Sequence, residues 1–300
     1  MCSSDLRLEL VNSFRAHRDH RTPRMGGFFW PFPIVMSTLR LGRGMALFPP
    51  ELSLVTTTAD SATPFAVRRL NRLAAALSCR TYLEIGVSKG KTFLGVNVAS
   101  RVGVDPQFRF DWSSYHGKDG IQLHQCPSDE FFAFIDPATT YDLIFVDGLH
   151  TFEQTYRDIL HALRHSHPGT VIAIDDTIPC DVFSTSRSLD ECVEMRRSIT
   201  GVVELSWHGD TYKVIPLLSV FNSDLRLITL IDGGNPWTLI WRPSIPVAAD
   251  ELRIMQALWA VQNLAAADYL WFLSNLSLYS PVSEADGLDE VIRSLRAPLP

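Results

Sequence analysis

The sequence predicts an α/β protein built on a parallel sheet. From about residue 61 to 245, strand-like apolar runs alternate with helix-like segments, the pattern of parallel strands joined by helical crossovers. A glycine-bearing turn follows the first of these strands, and acidic residues follow later ones. Because parallel strands deliver functional side chains from their carboxyl ends, these residues are expected to share one crevice.

Composition excludes several classes of protein. The chain has 300 residues, 46% hydrophobic and 20% charged, enough for one large core with room for terminal additions. Its formal net charge of -6 gives no electrostatic footprint for nucleic acid. No apolar stretch reaches the roughly 18 residues of a membrane span, and no signal core is visible, so we expect a cytoplasmic protein without membrane contact. Five scattered cysteines disfavour a disulfide framework or a structural zinc site.

Three regions are expected along the chain. Residues 1–60 combine arginines with an aromatic and proline-rich stretch, which predicts an irregular arm or cover. Residues 61–245 form the α/β body. Residues 246–300 carry apolar residues at helical spacing, which predicts a C-terminal helical extension packed on the body or on another subunit. Its run Leu270 to Leu273 is too apolar to lie wholly in water, so a homo-oligomer contact is a hypothesis.

The first half of the body has the pattern of a nucleotide-type site. A helix from Pro64 to Leu77 precedes a strand from Thr81 to Ile85, and Glu84 begins a turn that contains Gly86 and Gly90. Glycines permit a tight turn and close approach of the backbone to a ligand. The next strand ends at Asp105, about 20 residues past the turn, where a carboxylate can accept hydrogen bonds from both ribose hydroxyls.

The second half of the body predicts a metal and base site. The strand from Tyr141 to Val146 ends at Asp147, and His150 follows just before a helix that a capping box at Thr151 predicts. The strand from Thr170 to Ile174 ends in two further carboxylates, Asp175 and Asp176. Oxygen ligands from these three aspartates suit Mg²⁺, with Mn²⁺ next. A metal can lower the pKa of an acceptor hydroxyl while His150 takes its proton.

Further elements complete the expected sheet. Strands are predicted at Val202 to Leu205, Tyr212 to Leu217, Leu225 to Ile231 and Trp237 to Trp241, with a helix around Glu191 to Ile199. Helical spacing continues from Leu252 to Leu264, and a second aromatic-rich helix is expected near Tyr269 to Leu278. Trp112, His116 and His208 are candidates to line a substrate pocket, although surface or packing positions explain them at least as well.

Two motifs resemble a known family. The Glu-x-Gly-x-x-x-Gly turn looks like motif I of the class I methyltransferases, which bind S-adenosylmethionine. The segments Phe145 to Gln154 and Pro168 to Asp176 resemble methyltransferase family 24, which includes macrolide-sugar O-methyltransferases. The resemblance covers roughly residues 61 to 240. It implies a Rossmann-like, seven-stranded sheet, mostly parallel with an antiparallel last strand.

The resemblance also implies roles for residues. It assigns cofactor contacts to Glu84, Gly86, Gly90, Asp105, Ser128 and Asp147, with Ser128 beside the adenine. It assigns metal ligation to Asp147, Asp175 and Asp176, and proton abstraction to His150. The expected cofactors are therefore S-adenosyl-L-methionine and Mg²⁺, alternatively Mn²⁺.

The expected activity is metal-assisted O-methylation of a hydroxyl on a small molecule, sugar or natural product. N-methylation of a small molecule or peptide stays open, because one fold serves many chemistries. A nucleotide-dependent oxidoreductase would share the sheet and Asp105, but it should use a different glycine spacing. A non-catalytic interaction subunit that keeps the cofactor pocket is the remaining alternative.

Overall fold

A computed structural model describes residues 63–243 and 251–296. The predicted N-terminal cover, residues 1–60, lies outside the described residues. The strands are β1 Thr81–Ile85, β2 Ser100–Val104, β3 Ile121–His124, β4 Tyr141–Val146, β5 Ser166–Ile174, β6 Arg226–Leu230, β7 Trp237–Trp241 and β8 Pro281–Val282. The helices are α1 Phe65–Leu77, α2 Lys91–Gly95, α3 Ser128–Phe134, α4 Phe152–Arg164, α5 Leu189–Thr200, α6 Val214–Phe221, α7 Glu251–Gln262, α8 Tyr269–Ser274 and α9 Glu284–Arg296. Short 3₁₀ helices lie at Trp112–Ser114, Phe183–Thr185, Thr211–Lys213 and Leu276–Tyr279.

The strands form one sheet in the order β3-β2-β1-β4-β5-β7-β6-β8. Strands β1 to β5 pair in parallel, whereas β7 runs antiparallel to both β5 and β6. The predicted α/β class, with a mostly parallel sheet and an antiparallel last strand, is therefore confirmed. The short strand β8 pairs in parallel with β6 and adds one strand to the expected seven.

Alternating side chains of the central strands supply two hydrophobic cores, one on each face of the sheet. In β4, Ile144 packs against α4 and α6, whereas Leu143 and Phe145 join the core beneath α1 and α9. Both faces are covered by helices, which is why the central strands read as continuous apolar runs in the sequence. Within the described residues, the carboxyl ends of β1, β2 and β4 border an open cavity.

Two predicted strands are wrong. Val202 to Leu205 forms no regular element, and its valines are exposed. Tyr212 to Leu217 belongs to a 3₁₀ turn and to helix α6, whose apolar residues are buried around almost its whole circumference. Such a short, uniformly apolar segment has no period that separates a buried helix from a buried strand.

The C-terminal helices pack on the same sheet. Helix α9 contacts α1 and β6, and Leu288 and Val291 of α9 are fully buried. In α8, Phe272 is buried beside Tyr279, whereas Leu270 is 70% exposed. A homo-oligomer contact at Leu270 stays a prediction that light scattering would test. Across residues 63–243 and 251–296, no helix combines the length and apolarity that a bilayer crossing requires.

Candidate functional site

A cavity of about 660 Å³ opens at the carboxyl ends of β1, β2 and β4. Its volume lies within the range of roughly 300 to 1,000 Å³ that is usual for small-molecule sites. Five of the residues predicted from the sequence line it: Gly86, Asp105, Ser128, Asp147 and His150. Sequence elements between residues 85 and 158 supply the rest of the wall, together with Trp207.

The glycine turn after β1 packs tightly against the loop after β4. Gly86 has a φ of +92°, and a Cβ at this position would overlap the backbone carbonyl of Asp147. Glycine is therefore required at position 86 because the backbone there lies very close to the loop after β4. Gly90 also has a positive φ, at +71°, but it faces the ring of Phe110 and does not line the cavity.

Asp105 sits at the end of β2 and is oriented by two backbone donors. Its Oδ2 accepts a hydrogen bond from Ser88 N at 2.8 Å, and its Oδ1 accepts one from Gln107 N at 2.7 Å. Each carboxylate oxygen keeps a second lone pair. The fixed carboxylate can therefore accept two further hydrogen bonds from vicinal hydroxyls.

Glu84 lies within β1 below the cavity. It is almost completely buried, and Tyr82 Oη donates a hydrogen bond to its Oε2 at 2.6 Å. Burial raises the pKa of Glu84 to about 8, and the nearby Asp105 carboxylate adds to the shift. Glu84 does not line the cavity, so the geometry places a neutral or weakly ionised group under the glycine turn.

Ser128 begins α3 after the third strand. Its hydroxyl donates to Asp158 Oδ1 at 2.6 Å, and Gln154 Nε2 also donates to that oxygen at 3.0 Å. Burial raises the pKa of Asp158 to about 6 despite these donors. Ser128, Gln154 and Asp158 form a polar patch on the cavity wall.

The predicted base and two predicted metal ligands meet where β4 and β5 end. These strands are parallel neighbours, and Val146 is paired with Ile174. His150 Nδ1 lies 3.0 Å from Asp176 Oδ2, and His150 Nε2 lies 3.8 Å from Asp147 Oδ1. Asp176 has a φ of +58°, so the chain reverses at once after β5 and turns this carboxylate back toward His150.

Electrostatics in this cluster are dominated by crowded carboxylates. Burial and the charges of Asp175 and Asp176 raise the pKa of Asp147 well above its usual range. Burial and the adjacent Asp176 raise the pKa of Asp175 to about 7. Burial opposes ionisation of Asp176 and His150 as well, but their mutual contact prevails, lowering the pKa of Asp176 and raising that of His150. Both shifts favour an ion pair between His150 and Asp176 when the imidazole holds a proton.

A divalent cation fits this donor set. Asp147, His150 and Asp176 each offer a ligand atom within 4.8 Å of the other two. Among the described residues, no hydrogen-bond donor is paired with the Asp147 carboxylate, and His150 Nε2 lies 3.8 Å from its Oδ1. Carboxylate oxygens favour Mg²⁺ or Mn²⁺, and a cation would offset the repulsion that raises the pKa of Asp147.

Asp175 faces a different partner from its neighbour in sequence. Its Oδ1 accepts hydrogen bonds from Asn235 Nδ2 at 2.5 Å and from Asp176 N at 2.8 Å. Asn235 was not identified from the sequence. The run Gly233-Gly234-Asn235-Pro236 predicts a turn, but no spacing rule connects it to acids about 60 residues earlier.

A second unidentified segment covers His150. The Trp207 ring stacks on the imidazole with centroids 4.6 Å apart and planes at 12°. Buried His208 follows, with Nε2 3.7 Å from Asp176 Oδ1. His208 was a candidate for lining a substrate pocket, but it lies beside Asp176 and does not line the cavity.

The next two residues hold the loop that carries His150. Gly209 has a φ of +61°, and a Cβ there would overlap the His150 carbonyl. Asp210 Oδ1 accepts a hydrogen bond from Phe152 N at 2.9 Å, at the start of α4. The predicted helix start is right, but the Thr151 side chain makes no capping hydrogen bond. A carboxylate 58 residues downstream takes that position instead.

Comparisons with known proteins agree with this geometry. Residues 83–177 match a family model described as "Methyltransferase domain", that of methyltransferase family 24. No curated protein sequence matches the chain significantly.

Among solved structures, the O-methyltransferase TomG from Streptomyces achromogenes, in complex with SAM, shares 18% identity at a TM-score of 0.40, over 64% of this chain and 82% of that one. The O-methyltransferase from Bacillus cereus, in complex with SAH, shares 17% identity at a TM-score of 0.42, over 61% and 82%. Identification of the domain depends on the family match.

Proposed function

We propose that this chain, which carries a class I S-adenosylmethionine-dependent methyltransferase domain of family 24 type over residues 83–177, methylates a hydroxyl group with the help of a divalent cation. The acceptor proposed is a small molecule, a sugar or a natural product. A methyltransferase domain also replaces the oxidoreductase alternative considered from the sequence. One observation carries the proposal: an imidazole and two carboxylates converge beside a cavity that the glycine turn and Asp105 share.

His150 is proposed as the general base. His150 Nδ1 lies 3.0 Å from Asp176 Oδ2 without an aligned hydrogen bond, and a proton on Nδ1 would leave Nε2 as the basic nitrogen of the ring. Such a carboxylate orients the ring and stabilises the imidazolium that forms. Trp207 stacks on the ring face and limits its rotation.

Asp147 and Asp176 are proposed as the ligands of the cation, with Asp175 beside them. When bound, Mg²⁺ would lower the pKa of the acceptor hydroxyl and fix its orientation. His150 then receives the hydroxyl proton at Nε2. S-adenosylmethionine would supply the methyl group to the acceptor oxygen and would leave as the neutral thioether, with the electron pair of the carbon–sulfur bond kept by sulfur.

Asp105 and the glycine turn are proposed to hold the cofactor. The Asp105 carboxylate would accept the ribose hydroxyls, since both its oxygens are oriented by backbone donors. Ser128 and Gln154 lie on the cavity wall beyond Asp105, where the adenine would sit. Glu84 and Gly90 do not line the cavity, so they would act by supporting the turn and not by contacting the cofactor.

The test is calorimetric titration of S-adenosylmethionine and of Mg²⁺ into chelator-treated protein, on the wild type and on Asp175→Ala/Asp176→Ala. We expect cofactor binding in both proteins and Mg²⁺ binding only in the wild type. The matched control is Asp289→Ala/Glu290→Ala, which removes two adjacent acids of α9, exposed Asp289 and half-buried Glu290, that pair with Arg72 and Arg226.

Each outcome decides one part of the proposal. Absence of cofactor binding in the wild type would overturn the cofactor site and favour an interaction subunit. Equal Mg²⁺ binding in the double variant and the wild type would overturn the metal site. A screen of alcohols, sugars and amines, with the product methyl group located by NMR, separates O-methylation from N-methylation.

A further inference from the structure

The side chain of Asn235 bridges the acidic pair. Its Nδ2 donates to Asp175 Oδ1 at 2.5 Å and to Asp176 Oδ1 at 2.8 Å. Its Oδ1 lies 3.3 Å from the Nε2 of buried His208. One amide therefore occupies the Oδ1 atoms of both carboxylates, and Asp176 Oδ2 is left to face His150.

The loop that carries Asn235 joins β6 to β7 and is held by a buried arginine. Arg69 of α1 is fully buried, and its two terminal nitrogens donate to the carbonyls of Asn235 and Asp232, each at 2.6 Å. The guanidinium lies 5.0 Å from the ring centroids of both Phe65 and Trp237. Arg69 therefore holds the backbone of Asn235, whose side chain contacts Asp175 and Asp176.

Glu284, the first residue of the C-terminal helix α9, also contacts Arg69. Arg69 Nε donates to Glu284 Oε2 at 2.8 Å, Arg68 pairs with the same carboxylate, and Glu284 N donates to Asp232 Oδ1 at 2.5 Å. A buried guanidinium is costly unless it is paired and fully hydrogen-bonded. Glu284 and the two loop carbonyls meet that need together, so loss of one partner would loosen the loop.

We propose that Asn235 is a positioning residue for the metal-binding acids, and that the Arg69–Glu284 pair, completed by α9, holds it in place. This inference rests on the proposed metal site. A group that hydrogen-bonds to a metal ligand fixes its orientation, and its removal typically weakens metal binding about 10- to 100-fold. Helix α9, more than 100 residues from Asp175 in sequence, is thereby part of the support of the site.

The first experiment measures Mg²⁺ and S-adenosylmethionine affinities of Asn235→Ala and Asn235→Leu by calorimetry. Leucine keeps the approximate volume but has no donor. We expect Mg²⁺ affinity to fall about 10- to 100-fold in both, with cofactor affinity unchanged, since Asn235 does not line the cavity. Asn275→Ala is the control, because this half-buried asparagine donates to Trp271 O outside the site.

Wild-type Mg²⁺ affinity in both Asn235 variants would overturn the positioning role. Equal losses of Mg²⁺ and cofactor affinity would also overturn it, because they would indicate general distortion of the fold. If the wild type itself binds no Mg²⁺, the proposed metal site fails, which is a different result from failure of the Asn235 variants alone.

The second experiment tests the Arg69–Glu284 pair with the variants Glu284→Gln and Glu284→Asp. Asp289→Asn is the matched control, since Arg72 and Asp289 form an exposed ion pair between the same two helices without touching the loop. We expect weaker Mg²⁺ binding in the Glu284 variants only. Wild-type Mg²⁺ affinity in Glu284→Gln would show that the Arg69–Glu284 pair does not hold Asn235 in place. If Glu284→Gln does not fold, the same comparison is made with Glu284→Asp.

Discussion

The two sides of the cavity are built differently. On the side of the proposed cofactor site, which we call the cofactor side, the hydrogen bonds of the turn are local: Ser88 N reaches Asp105 over 17 residues, and Gly90 N donates to Val87 O. On the side of the proposed base and metal ligands, which we call the catalytic side, Asp175, Asp176 and His150 are contacted by side chains from segments 207–210 and 232–235. Local backbone geometry is sufficient to form a cofactor turn, whereas crowded carboxylates need support from distant parts of the chain.

Charge explains the difference. Asp105 is oriented by two backbone N–H donors that the turn itself provides. Asp147, Asp175 and Asp176 repel one another, and no neighbouring backbone supplies enough donors to hold all three. An amide from β6–β7 and an imidazole from the β4 loop supply the missing partners. The catalytic side is therefore expected to be more sensitive to distant substitutions.

The largest expected effect is on turnover in His150→Ala. Loss of a general base should lower kcat by about 10² to 10⁴, with cofactor affinity nearly unchanged. Stopped assays with the acceptor identified in the screen provide the measurement. His161→Ala is the control, because this histidine lies on α4, the helix that follows His150, and stacks on Phe132 outside the cavity wall. If Mg²⁺ affinity collapses as well, His150 is a ligand and not the base.

Gly86→Ala should break the junction between the two sides. The substitution costs roughly 1–3 kcal/mol of overpacking against Asp147, in addition to the strain of a positive φ. Gly201→Ala isolates that strain, because Gly201 has a φ of +74° with open space around it. Urea unfolding of both variants measures the difference. Equal losses would show that the Asp147 contact does not constrain Gly86.

Stability should depend on pH through Glu84 on the cofactor side. Its folded-state pKa of about 8 exceeds its ordinary value, so the folded protein binds a proton that the unfolded chain releases between about pH 4.5 and 8. The free energy of unfolding should fall across that window by up to about 1.4 kcal/mol per pH unit from this group. Glu84→Gln should flatten the profile, whereas exposed Glu130→Gln should not. Parallel profiles for the wild type and Glu84→Gln would contradict the assignment.

Asp105→Asn should weaken cofactor binding without changing Mg²⁺ binding. Hydrogen bonds to a charged group contribute about 1.5–3 kcal/mol, so the loss should be roughly 10- to 100-fold in affinity. Calorimetry measures both ligands on one protein. The control is Asp111→Asn, which alters an exposed carboxylate in the following loop that accepts a hydrogen bond from Ser113. A fall in Mg²⁺ affinity would mean that the two sides are coupled.

The smallest expected effect concerns the ring that covers the base. Trp207→Leu removes a stacking contact worth about 0.5–1.5 kcal/mol, so kcat should fall roughly 2- to 10-fold. Trp207→Phe keeps an aromatic ring and loses only the hydrogen bond from Nε1 to Ser186 O. Turnover close to wild type in the phenylalanine variant, but not in the leucine variant, would confirm the stacking. Equal kcat values in all three proteins would show that Trp207 does not contribute to turnover.

The elements closest to the sheet were predicted well. Strands β1, β4, β6 and β7, helix α1 and the start of α4 lie where apolar runs and polar boundaries predict them. The segment 202–217 was misread for two reasons. Val202, Val203 and Leu205 are apolar but exposed, whereas the apolar residues of 212–217 are buried on nearly all sides and carry no period. Residues 1–60 lie outside the described residues, so their role as a cover stays a prediction.

The sequence alone determined the class of fold, the glycine turn, and the acids that end β2, β4 and β5. These features follow from backbone conformation and from the rule that parallel strands end at one edge. Only the tertiary structure decided that Asn235 holds Asp175 and Asp176, that Trp207 covers His150 and that Glu284 belongs to the support of the site. The contacts that place Asn235, Trp207 and Glu284 span 57 to 215 positions of chain, and no local periodicity encodes a contact of that kind.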